Sequence, residues 1–174
     1  MAPYNRKISA KKIALIGILA ALTMTLSFIE TLLPPLPMLP PGFKMGLSNI
    51  AVMYSLFCCG NIYSLFLAVI KSFFILFING GYAFVLSLGG SVLSVLAMAL
   101  LIKIFKTKIS YSALSVVGAI CHNGAQILLV CAITASNAAL YYSPLLVVAA
   151  IVCGLATAAA VKAAMPVILK ITNG

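Results

Sequence analysis

Runs of mostly apolar residues follow one another along this chain, with charged residues at their edges and almost none within. Several approach the ~20 residues a helix needs to cross a bilayer. In lipid, backbone N–H and C=O groups must bond within the segment, so such runs become helices. We read spans at 13–29, 47–59, 62–78, 83–105, 113–135 and 144–161. The second is short for a full crossing. Between the first two lies ETLLPPLPMLPPGFK (30–44), whose five prolines remove backbone donors and resist helix, giving an extended, stiff outer loop. Only 7% of the 174 residues are charged, against about a quarter in soluble domains. The fold class is therefore an all-α membrane protein: six transmembrane helices in one integral membrane domain covering 1–174.

The charges set an orientation. With a cytoplasmic N-terminus, six spans return the C-terminus to the cytoplasm. Arg6, Lys7, Lys11, Lys12, Lys103, Lys106, Lys108, Lys162 and Lys170 then all lie inside, and only Lys44 lies outside. That asymmetry is the positive-inside pattern. Five spans would scatter the basic clusters to both faces. The net charge of +10 is thus a topology signal, and no basic soluble face exists to bind nucleic acid. The basic start followed by an apolar run mimics a signal peptide, but no small-residue cleavage site precedes Glu30, so it is read as a membrane helix.

Several chemistries are excluded by what is missing. Magnesium-dependent phosphoryl or prenyl transfer needs carboxylates, and Glu30 is the only acidic residue. No GxxxxGK[ST] phosphate loop is present, so the chain cannot power transport with its own ATP. The five cysteines sit in apolar runs without a CxxC pair and, with one histidine, suggest packing rather than zinc. We expect no enzyme activity, cofactor or metal.

The polar residues inside the spans carry the functional expectation. Lys71 sits mid-span, where a charge is costly, with no acidic residue expected at its depth; it can anchor an anionic ligand group, or snorkel. In ICHNGAQ, His122, Asn123 and Gln126 share one helical face, with Gly118 and Ala119 a turn below. They can bind a ligand or clamp neighbouring helices. Ser87, Ser91 and Ser94 share a face of the fourth span, flanking Gly89 and Gly90, where close packing is the competing role. Lys44 and Asn49 form a pocket rim under the proline-rich loop, unless Ser48 or Asn49 is only a helix cap.

The stretches PPGFKMGLSNIAVMYSLFCCG, NGG, SLGGSVLS and HNGAQ together resemble the Gx transporter family, often labelled heptaprenyl diphosphate synthase component I. That family is similar to the substrate-binding S components of energy-coupling factor (ECF) transporters. The resemblance implies a six-helix bundle in a prokaryotic cell membrane, a first external loop over the ligand, and partners in a transmembrane scaffold and two cytoplasmic ATPases. It also implies a scaffold-facing first helix, for which Gly17 and Ala21, spaced four apart, are the candidates, with Ala14 and Ala20 nearby. The expected function is uptake of a small anionic or vitamin-like molecule. The alternatives are a non-catalytic membrane subunit of isoprenoid or quinone biosynthesis, and an accessory of flavin-linked extracellular electron transfer.

Overall fold

A computed structural model describes residues 10–32, 46–105 and 109–173, with side chains through 163. Among these residues the regular structure is helical: α1 (Ala10–Leu32), α2 (Asn49–Cys58), α3 (Asn61–Phe105), α4 (Tyr111–Thr134), a 3-10 turn (Asn137–Tyr142) and α5 (Ser143–Asn173). Four helical segments are long and apolar enough to cross a membrane: Ala10–Leu32, Asn61–Phe105, Tyr111–Thr134 and Asn137–Ala163. Their outer faces carry large apolar side chains, among them Phe77 at 85% exposure and Ile62 at 79%. Such a surface suits lipid far better than water.

The 45-residue α3 is two limbs. In one straight helix, Ser72 and Ser87 would stand about 22 Å apart, fifteen residues at ~1.5 Å each. Their hydroxyls instead lie 3.2 Å apart, and the rings of Phe73 and Phe84 meet at 5.2 Å. The chain reverses at Gly80, whose φ of 80° and ψ of −179° form a conformation that essentially only glycine adopts. The expected separate helices at 62–78 and 83–105 are thus present, but the reversal between them shrinks to a single non-helical residue.

Two expected boundaries need correction. Glu30 does not open the outer loop; α1 continues to Leu32, and Glu30 is a buried residue of its last turns. The second expected span is a ten-residue helix. At ~1.5 Å per residue it covers about 15 Å, half of a ~30 Å hydrocarbon core, so it cannot cross alone. Residues 51–56 of α2 are all buried, and they form the centre of the main core with Leu19, Leu67, Val95, Met98, Leu114 and Val161. A helix apolar on all sides has nowhere else to go.

Close helix approach fixes the remaining packing. A Cβ on Gly90 would come within 2.9 Å of the His122 imidazole, and one on Gly118 within 2.8 Å of the Met98 sulfur. These glycines let the second limb of α3 lie against α4. Gly154 does the same for α5, its missing Cβ standing 2.8 Å from Val116 Cα. Ser110 caps α4 by accepting from the Ala113 N–H at 3.1 Å.

Candidate polar site at the first turn of α2

The site begins with an inward stripe on α1. Leu19, Thr23, Ser27 and Glu30 are its buried residues, spaced four, four and three apart and therefore on one face. The Thr23 hydroxyl donates to the Leu19 carbonyl at 2.6 Å, leaving the helix intact. Glu30 lies at the end of the stripe. Its carboxylate accepts from the Gly46 N–H, from the Leu47 N–H at 2.8 Å and from the Ser48 hydroxyl at 3.2 Å. These groups lead into α2, whose first N–H groups have no partner within the helix. The only acidic side chain of the protein therefore pins the turn that leads into the half-length helix, near the end where the helix dipole favours an anion. The first N–H groups of α2 itself, on Asn49 and Ile50, donate to the Gly46 and Leu47 carbonyls.

The same turn receives the one lysine that is buried among the described residues. Lys71, 3% exposed, reaches across from the first limb of α3 and donates from Nζ to Asn49 Oδ1 at 2.9 Å. Neither Ser48 nor Asn49 acts as a simple cap: Ser48 makes no side-chain cap bond to its helix, and its hydroxyl goes to Glu30. The sequence pattern expects no acid at the depth of Lys71, yet Glu30 holds the three residues that immediately precede Asn49, the partner of Lys71. Glu30 and Lys71 attach to one short stretch, 46–49, the anion on the turn before α2 and the cation on the first side chain of the helix. Each buried charge is thereby compensated, which removes much of the cost of holding it there.

Beside this turn lies a narrow cavity of about 20 Å³, room for roughly one water molecule. Gly46 and Asn49 reach it from the α2 side, Ser94 from α3, and Ser115, His122 and Asn123 from α4. Two of the expected site residues on α4 thus join Asn49 at one cavity. Asn123 is anchored, donating from Nδ2 to the Leu146 carbonyl at 3.2 Å. Gln126 is buried on the same face but lies outside the cavity wall.

The serines divide. Ser87 shares its hydrogen bond with Ser72 and serves the α3 hairpin. Ser91 is 1% exposed, and among the described residues its hydroxyl finds no partner. The same holds for His122 Nδ1 and Gln126 Oε1. Each such orphan costs about 1–3 kcal/mol. Two of them, on Ser91 and His122, gather where α4 meets the second limb of α3, because Ser91 adjoins the glycine on which His122 rests, and Gln126 follows His122 one turn along α4. Lys44 lies outside the described residues. Gly17 and Ala21 stand away from all of this, on the exposed face of α1, with nothing within 4 Å of a Cβ built on Gly17.

Sequence reasoning missed Glu30, Ser115 and Thr157. Ser115 was findable by carrying the face of Gly118 and His122 one turn further back. Thr157, which lines the cavity from α5, gave no pattern beyond being polar in an apolar helix. Among the described residues, no three His, Cys, Asp or Glu side chains are grouped to hold a metal.

No curated protein and no solved structure matches the chain. A family model does, over residues 19–164, a stretch that includes Glu30, α2, the α3 hairpin and the whole polar site. On that match the chain belongs to the heptaprenyl diphosphate synthase component I family, the one its sequence motifs resemble.

Proposed function

We propose that the chain is a membrane-embedded substrate-binding subunit, similar to an ECF S component, for uptake of a small anionic or vitamin-like molecule. The observation that carries this reading is the convergence of Asn49, with Lys71 bonded to it, and of His122 and Asn123 on one cavity inside an apolar bundle. A bundle that needed only to hold itself together in lipid would have little reason to bury a lysine, an imidazole and two amides there. The proposed topology counts α2 and both limbs of α3 as separate segments, giving six, with α2 completing its crossing only together with the residues that lead into it and with both termini in the cytoplasm of a prokaryotic cell. The chain itself is not an enzyme; reorientation is driven by partner ATPases through a transmembrane scaffold.

A cavity of about 20 Å³ is smaller than any vitamin. Ligand entry therefore requires the first turn of α2 to part from α4, and Glu30 and Lys71 are the side chains that hold this turn in place. The small face of α1 at Gly17 and Ala21 is exposed among the described residues, with none of them within 4 Å of a Cβ built on Gly17, as suits a scaffold-facing surface.

A second reading rests on the family description: a non-catalytic partner in heptaprenyl diphosphate synthesis. Its test is what purifies with the tagged protein in mild detergent from its own cell. A membrane scaffold with ATPases supports uptake; a soluble synthase rich in aspartate supports the second reading and refutes the first.

A further inference from the structure

Near the N-terminal end of α1, at the opposite end of the helix from Glu30, Ile13 and Ile16 face Ile62, Tyr63 and Phe66 of α3 across an open groove of about 300 Å³. We propose that this groove seats one acyl chain of an anionic phospholipid, with the phosphate-bearing headgroup on Lys11 and Lys12. The groove walls are aliphatic and aromatic, and Ile13, Ile62 and Phe66 are 59%, 79% and 53% exposed. In a bilayer such a groove gains nothing by merely being apolar, because lipid tails are equally so. What distinguishes it is the charge at its mouth.

Lys12 does not trail freely toward water. Its Nζ lies 4.4 Å from the centroid of the Tyr63 ring, so a wall of the groove holds the ammonium at the rim by cation–π attraction. Lys11 is beside it and exposed. Both belong to the first turn of α1, which contains no acidic residue and whose N-terminal end adds the positive pole of the helix dipole. The one acid of the protein, Glu30, stands 18 residues further along α1, about 27 Å away at ~1.5 Å per residue. No carboxylate of the described chain neutralises this end. An anion must come from outside, and a phospholipid brings the phosphate and the chain on one molecule. Basic pockets between membrane helices recognise anionic lipids in this way, at about fivefold in affinity per lysine.

The full-length protein in detergent is challenged with equal amounts of dioleoyl phosphatidylglycerol and dioleoyl phosphatidylcholine, and retained lipid is counted by native mass spectrometry. The expected result is preferential retention of phosphatidylglycerol. Lys11→Gln with Lys12→Gln should remove the preference, and Lys103→Gln should leave it. Ile62→Trp, which fills the groove from an exposed wall, should release the lipid with the thermal midpoint unchanged; Ile13→Trp tests the opposite wall should the first variant fold poorly. Equal retention of both lipids overturns the proposal. So does a preference that survives the lysine pair or both tryptophans, one lost with Lys103→Gln, or release of the lipid by inorganic phosphate alone.

Discussion

Replacing Glu30 by Gln removes the one negative charge of the protein while keeping its shape. The carboxylate holds the Gly46 and Leu47 N–H groups on one oxygen and the Ser48 hydroxyl on the other. Gln offers a single acceptor oxygen and puts an NH₂ group where the second oxygen stood. The bond with Ser48 must reverse, the NH₂ donating to the hydroxyl oxygen, and none of the three bonds is any longer charge-assisted. A hydrogen bond to a charged group contributes about 1.5–3 kcal/mol, and an anion at a partly buried helix N-terminus up to about 2 kcal/mol. With partial relaxation, a loss of about 2–4 kcal/mol is expected. For a chain of this size each kcal/mol shifts a thermal midpoint by roughly 2–4 °C, so Glu30→Gln should unfold roughly 4–16 °C lower in the same detergent. The cycle with Lys71→Met adds a sharper criterion. Both side chains act on the first turn of α2, so the double variant should be less damaged than the sum of the singles, by at least ~0.5 kcal/mol. A midpoint within a degree of wild type, or strict additivity, refutes the idea that these two charges jointly fix α2.

Three further outcomes follow from particular glycines. Gly80→Ala meets no side chain but must adopt a positive φ of 80°, so it should cost about 1–3 kcal/mol in a thermal or denaturant melt; an unchanged midpoint would show that the hairpin does not need this conformation. Gly90→Ala places a Cβ 2.9 Å from the His122 ring, and overpacking of about 1–3 kcal/mol should appear in the same melt, partly relieved by adding His122→Ala. Failure of that relief would mean the imidazole is not the group displaced. Gly17→Leu extends into open space; the isolated protein should melt as wild type while association with its membrane partner, read by pull-down, weakens.

Much of the bundle was legible because lipid leaves few choices. Apolar runs bounded by basic or turn residues located α1, both limbs of α3, α4 and the start of α5 to within a few residues, while α5 continues to Asn173, twelve residues past its expected end. The chain reversal near Gly80 was signalled by NGG. The helical spacing in HNGAQ placed three buried side chains on one face, and two of them line the cavity. What was not legible depends on tertiary contact. Nothing local says that Glu30, the first residue of an expected loop, turns inward to hold the turn before α2 (the signal was its solitude, and solitude does not name a partner). Likewise the spacing of Ser87 and Ser91 treats them alike, and only the hairpin geometry gives Ser87 a partner in Ser72 while leaving Ser91 to α4. Gly89 and Gly90 fit both a ligand cradle and a packing seam; the contacts of Gly90 with His122 and of Gly89 with Leu129 make them a seam.

The central claim is that the polar groups around α2 bind a small molecule, and the small molecule itself gives the most direct measurement. Wild type, Lys71→Met, His122→Asn and Gln126→Leu are purified gently from the native membrane, the retained metabolites are quantified by mass spectrometry, and a thermal melt is taken on each preparation. Loss of one hydrogen bond to a charged group reduces affinity roughly tenfold to a hundredfold. The account predicts a stoichiometric anionic compound on the wild type, its near-complete loss from Lys71→Met, and a smaller loss from Gln126→Leu, whose side chain lies off the cavity wall. A compound retained equally by all four proteins, or four empty proteins in which the variants differ only by lower melting, would contradict it and leave the polar cluster as a clamp between helices.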